Sequence, residues 1–131
     1  MADPQLPSEF ADLLERPIVG TLATVRLDGA PTATPMWFAW IDGTLRFTHT
    51  TGRQKLKNLG AEPRFAFTII DPDDPYRFLE VRGVLERVEA DPTGAFYVVL
   101  GKRYGNDDQQ PPPDSATRVI MVLRPTRFGV K

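Results

Sequence analysis

Runs of apolar or alternating positions, punctuated by Asp-Gly steps, organise the first half of this chain. Ile18–Leu27, Thr32–Ile41 and Thr44–His49 read as three strands joined by turns at Asp28-Gly29 and Asp42-Gly43. Asp-Gly between such runs is the strongest short hairpin signal. The middle run, TATPMWFAWI, is apolar almost throughout after Pro35, the pattern of a strand buried on both faces. Pro35 has no N–H for a ladder, so it marks an edge, a bulge or a place where something other than a strand pairs. A kink turned toward a ligand is compatible with each. Arg64–Asp71 is a further strand, and Tyr76–Ala90 a long one with a bulge or barrel corner expected at Gly83. Thr117–Leu123 and Arg127–Val130 close the chain as two strands.

Three stretches carry helical signals. Ser8–Glu15 has Ser8 as a cap, apolar spacing at Phe10, Leu13 and Leu14, and Pro17 beyond its end. Arg53–Gly60 turns Leu56 and Leu59 inward, and Thr93–Tyr104 has Asp91 as cap and Pro92 at its first position. DPDDP at 71–75 is a loop, and GNDDQQPPPDSA at 105–116 reads as a flexible linker. Six or seven strands, short helices and no βαβ alternation predict a mainly β, antiparallel barrel with helices attached. It forms one domain over 1–131, with residues 1–16 as an N-terminal helical segment. Side chains fill a barrel of this size, so a large ligand would sit outside it, in a groove completed by a second subunit.

Composition narrows the chemistry. Net charge is −1 with 25% charged residues, which steers the chain to neither nucleic acid nor an anionic membrane. No run of 18 apolar residues is present, and the first residues lack the cationic-then-apolar order of a secretory leader. Without cysteine there is no disulfide, thiolate metal site or thiol nucleophile. Together these predict a cytoplasmic protein. The single histidine, His49, makes neither a metal site nor a triad, and the Walker and Rossmann glycine patterns are missing. Asp71, Asp73 and Asp74 lie among prolines without the closing glutamate of a calcium loop. Redox chemistry carried by a bound cofactor fits these residues better than hydrolysis, and no catalytic side chain is assigned.

The candidate binding chemistry follows the third strand. Thr48, Thr50, Thr51 and Gly52 supply hydroxyls and a pliant backbone where a helix begins, and Arg53, Lys55, Lys57 and Asn58 follow. A helix N-terminus with free N–H groups and nearby cations suits a phosphate. Arg53 and Lys57 share a helix face, while Lys55 lies about 200° round from Arg53, so the three grip one anion only if some precede the helix proper. Trp37, Phe38 and Trp40 read as core or as support for a planar ligand. Tyr76 and Arg77 read as a loop anchor or as a reach into a neighbour's site.

In order and spacing, GTLATVRLDGAPTATPMWFAW, LRFTHTTGRQKLKNLGAEPRFAF and IDPDDPYRFLEVRGVLE resemble the pyridoxamine-phosphate-oxidase-like, FMN-binding split β-barrel proteins. More narrowly, they are similar to the small actinobacterial branch that uses the deazaflavin coenzyme F-420. The resemblance implies a homodimer with two cofactor sites at the subunit interface. It assigns the cofactor phosphate to Arg53, Lys55 and Asn58 with Thr50 and Gly52, leaving Lys57 toward solvent or the cofactor's acidic tail. It lays the ring along Pro35, Met36 and Trp37 with Thr48 across from them, and brings Tyr76 and Arg77 from the other subunit. The activity implied is hydride transfer to an electron-poor double bond of enone, quinone or tetrapyrrole type. The C-terminal RPTRFGVK has no histidine, unlike the substrate motif of pyridoxamine phosphate oxidases proper, so that oxidation is not expected. An FMN-dependent oxidoreductase, a non-catalytic F-420 carrier and an oligonucleotide-binding barrel are the competing readings; the charge balance weighs against the last.

Overall fold

The computed structural model describes residues 4–130; residues 1–3 of the expected N-terminal segment, and Lys131, lie outside the described residues. Seven strands form one sheet: β1 (Gly20–Val25), β2 (Pro31–Met36), β3 (Ala39–Ile41), β4 (Thr44–Thr50), β5 (Arg64–Ile70), β6 (Phe78–Ala90) and β7 (Arg118–Val130). Their order is β2-β1-β5-β6-β7-β4-β3, and every neighbouring pair is antiparallel. The two outermost strands, β2 and β3, are consecutive in the chain with only Trp37 and Phe38 between them. The strip must therefore roll until its edges approach, which makes a split barrel.

The expected strand Thr32–Ile41 is thus two strands on opposite edges. Pro35 sits on edge strand β2 opposite Thr21, where its missing N–H costs no central ladder bond. At the crossing, side chains replace the ladder: the Phe38 N–H donates to Tyr104 Oη at 3.1 Å, and Arg103 Nε donates to the Phe38 carbonyl at 2.9 Å. The Asp42-Gly43 turn is a two-residue hairpin with φ of 51° and 72°, the paired left-handed geometry that Asp-Gly favours.

The two closing strands expected from the sequence are one, β7. Pro125, which separates them in the sequence, falls opposite Gly83 at a register shift against β6, where its lack of an N–H is absorbed. A Cβ on Gly83 would lie 2.0 Å from the Arg124 carbonyl oxygen, so this corner admits only glycine. The N-terminal segment is a 3-10 turn (Ser8–Phe10) followed by α1 (Asp12–Glu15), with no side-chain cap from Ser8. Helix α2 spans Gln54–Ala61 and α3 Ala95–Arg103. The latter starts two residues later than expected, because Asp91–Gly94 first makes a turn; the Asp91 carboxylate still accepts the Phe96 N–H at 3.0 Å. Residues 105–116 run back against α3, with the Asn106 N–H donating to the Gly101 carbonyl at 2.9 Å.

The barrel interior holds Leu13, Leu22, Phe38, Phe47, Phe67 and Met121 among others, with Phe67 edge-on to Phe38 and Phe47 at 5.1 and 5.2 Å. A smaller cluster of Ala39, Phe96 and Leu100, with Trp37, Ile41 and Ile120 packed against it, seats α3 on the outer face of β3, β4 and β7. Among the described residues no helix is long and apolar enough to cross a membrane.

Candidate functional site

The barrel's split sets the site. β3 pairs with β4 as Ala39↔Arg46, Trp40↔Leu45 and Ile41↔Thr44. Continued backwards, that register puts Trp37 level with Thr48 and Pro35 level with Thr50. No ladder forms there, because β2 has turned away to pair with β1. A gap therefore opens between β2 and the far end of β4, and the Thr50–Arg53 loop lies at its mouth.

The loop is tied down by its backbone. The Thr51 N–H donates to the Thr117 carbonyl at 3.1 Å, and the Arg53 N–H to the Thr50 carbonyl at 3.2 Å. Arg53 precedes α2 with extended backbone (φ −81°, ψ 150°), and no side chain caps the helix. The first N–H groups of α2 are thus available to an anion. Arg53 and Lys55 make no ion pair among the described residues. Partial burial and then the charge of Arg53 push the Lys55 ammonium below its ordinary pKa. His49 is pushed down to about 4 by burial and then by Lys55, Arg53 and Arg118, so its imidazole is neutral at pH 7. Its Nε2 is buried with no hydrogen-bond partner. Such a site is short of negative charge.

Arg118 carries no signal in the sequence, yet it belongs to this neighbourhood. It begins β7 directly across from Thr50 and donates to Thr48 Oγ1 at 3.4 Å. A residue whose neighbour lies 70 positions away announces itself in no local pattern.

The structure brings together Thr48, Thr50, Gly52, Arg53 and Lys55 at one end of β4, with Pro35 and Trp37 across the gap. Trp37 is half-buried and stacks on Tyr104 at 5.1 Å and 8°. Met36 is partly buried, its side chain packed against the core. Two of the assigned residues already have partners within the chain. Asn58 is fully buried: its Oδ1 accepts from Gln54 at 2.8 Å and its Nδ2 donates to Thr24 Oγ1 at 3.1 Å. It fastens α2 to β1 and offers nothing to a ligand. Arg77 is likewise committed, pairing with Asp12 and with Asp71 (2.8 Å) and donating to the Glu9 carbonyl at 2.6 Å. It anchors the β5–β6 turn to the N-terminal segment, within a network that Arg16 extends to Asp73. Tyr76 beside it is 82% exposed and remains available.

A cleft of about 280 Å³ opens at the opposite end of β4, lined by Leu6, Trp40, Glu86, Arg124 and Phe128 among others. It lies away from the cationic loop and holds no comparable set of unpaired charges. No group of three or more histidines or carboxylates able to hold a metal exists among the described residues.

Comparisons with known proteins bear on the family and the fold. The family model described as pyridoxamine 5'-phosphate oxidase matches residues 6–130. No curated protein is significantly similar to the chain. Among solved structures, a protein named F-420 reductase is 56% identical, with TM-score 0.91, covering 95% of this chain and 98% of its own. A conserved hypothetical protein from Mycobacterium tuberculosis is 28% identical with TM-score 0.76, over 99% of this chain and 87% of its own. General stress protein 26 from Bacillus anthracis, 21% identical with TM-score 0.72 over 93% and 90%, shares the fold. The family match runs over nearly the whole chain and the split barrel is that of its relatives: the chain belongs to the pyridoxamine 5'-phosphate oxidase family.

Proposed function

We propose that this chain is a homodimeric oxidoreductase that binds coenzyme F-420 and passes hydride to an electron-poor double bond of enone, quinone or tetrapyrrole type. The observation that carries the reading is the gap between β2 and β4 opening on a loop with two unpaired cations. It gains weight from 56% identity to a protein named F-420 reductase.

The residues present suit the group. An uncapped helix start, with Thr50, Gly52, Arg53 and Lys55 around it, offers a phosphate both N–H donors and charge. Pro35 and Trp37 border the gap on one side and Thr48 on the other, where a flat ring would be held against backbone and side chain. When bound, the reduced deazaflavin supplies a hydride from its central ring. The chain's own part is to fix the phosphate, set the plane of the ring and exclude water from the acceptor. His49 is neutral at pH 7, so it gives no imidazolium proton to the reaction before an anion binds. Tyr76 would reach the site of the second subunit, held out for that purpose by the Arg77 anchor.

Titration of the purified protein with F-420 and with FMN, followed by quenching of its two tryptophans, of which Trp37 borders the gap, tests this. Saturable binding of F-420, weakened by one or more decades in the folded double variant R53A/K55A, is expected, since a hydrogen bond to a charged group contributes about 1.5–3 kcal/mol. Preference for FMN would move the chain to the flavin-dependent reading. Tight F-420 binding without turnover of any acceptor would make it a carrier.

A further inference from the structure

Three cations approach the end of β4 from three elements: Arg53 before α2, Lys55 in its first turn, and Arg118 at the start of β7. The third is fixed to the other two by backbone. Arg118 lies across the ladder from Thr50, and the Thr117 carbonyl accepts the Thr51 N–H at 3.1 Å. The strand carrying Arg118 is thereby stitched to the loop carrying Arg53. The Arg118 side chain is only 13% exposed. It donates to the Asp114 carboxylate at 3.0 and 3.4 Å and to Thr48 Oγ1 at 3.4 Å, and it lies 4.7 Å over the Tyr97 ring. Asp114 is its one charged partner, against two cations, Arg53 and Lys55, that have none among the described residues.

We infer that Arg118 is a third arm of the anion site, and that the site takes a ligand group bearing two negative charges. This rests on the anion-binding reading of the loop given above. Arg118 is matched by Asp114, and Lys57 is exposed a further half-turn along α2, so the charge left uncompensated at the loop end is that of Arg53 and Lys55. A phosphomonoester dianion, or a phosphodiester with a carboxylate beside it, balances that charge; a lone monoanion does not. Partial burial of Lys55 strengthens the demand, because a partly desolvated cation gains more from an opposite charge than one in bulk water, where the exposed Arg53 lies. Arg118 brings rigidity as well. Its planar fork is held by Thr48, Asp114 and Tyr97, so little freedom is lost when it takes an additional acceptor.

The single histidine gives a direct readout. The ring signal of His49 in proton NMR is unique in this protein and senses all three cations. The test measures F-420 and FMN affinity, and the His49 shift on addition of inorganic phosphate or acetate at equal ionic strength, in wild type, R53A/K55A, R118M and R124A. R118M keeps the stem against Tyr97, and R118K serves if R118M does not fold. Expected are a loss of cofactor affinity of about tenfold or more in R118M, a shallower salt dependence of binding, and no change in R124A. Phosphate should move His49 in wild type at about tenfold lower concentration than in R118M, and acetate should not move it. Cofactor binding lost in R53A/K55A but unchanged in R118M overturns the role of Arg118 and leaves the proposed function standing. Wild type that binds neither cofactor removes the proposed function, and the phosphate titration then decides alone: equal response in wild type and R118M overturns the inference. Equal response to acetate and phosphate overturns the requirement for two charges.

Discussion

His49 is the side chain whose chemistry the fold changes most. Its pKa falls from an ordinary 6.5 to about 4, first through burial and then through three nearby cations. Between those values the unfolded chain holds a proton that the folded chain does not. Its contribution to stability is therefore complete above pH 6.5 and is lost as pH falls toward 4. For a half-buried ring in solvent-screened surroundings this amounts to about 1–2 kcal/mol. Urea unfolding at pH 7.5, 5.5 and 4.5 should show wild type losing more stability than H49Q across this window; parallel curves would exclude the effect. The carboxylates of Asp12, Asp71 and Glu62, held low by their arginine partners and by backbone donors, are common to both proteins and cancel. The loop chemistry, Thr50 to Lys55, was legible in the sequence because hydroxyls, glycine and cations are contiguous there. The partners of Asn58 and Arg77 within the chain were hidden for the same reason in reverse. The partners that claim them, Thr24 and Asp12, stand 34 and 65 positions away, and no local pattern separates a structural amide or guanidinium from a ligand contact.

At the level of elements, punctuation residues carried the signal and continuity did not. Both Asp-Gly turns and the Gly83 corner stand where the sequence put them, since each depends on backbone geometry that few residues tolerate. The break at Trp37–Phe38 was hidden: an apolar run looks the same whether it stays in one sheet edge or crosses to the other. What breaks it is a pair of side chains from the end of α3, Arg103 and Tyr104. Pro125 misled in the opposite direction, suggesting a gap where an extra residue on β7 itself, Thr126, shifts the register against β6 and absorbs the missing donor. Two glycines make the distinction measurable. Gly83→Ala should cost about 3 kcal/mol in urea unfolding, because its Cβ would meet the Arg124 carbonyl. Gly60→Ala, with nothing within 4 Å of the added Cβ and a helical backbone, should stabilise by about 0.5 kcal/mol. Equal effects of the two changes would show that the corner relaxes and that glycine is not required there.

For the molecule as a whole, the two outer faces of the barrel differ. One is covered by α3 through Phe96 and Leu100. The other, on β2, β1 and β5, carries rows of small residues abreast: Ala33, Ala23 and Ala66 in one, Pro35, Thr21 and Thr68 in the next. Val19 and Ile70 beside them are each about half exposed. Toward β6 the rows end at Glu80 and Arg82, which pair with each other at 2.6 Å. A nearly uncharged strip with a polar rim has the anatomy of an interface core, and it is here that the homodimer proposed above would seat its second copy. The strip includes Pro35, at the border of the gap, and the turn bearing Tyr76 projects beyond Ile70 at the same end. A partner seated there would have its Tyr76 near this chain's ligand, which is what a shared site demands. Ala23→Arg plants a charge in the middle of the strip and should halve the mass seen by light scattering. It should also weaken F-420 binding by about tenfold or more, since each site loses its second wall. Val99→Arg, on the exposed side of α3, should change neither. A wild type that is already monomeric would remove the dimer, and an A23R variant that stays dimeric with full affinity would move the interface to another face.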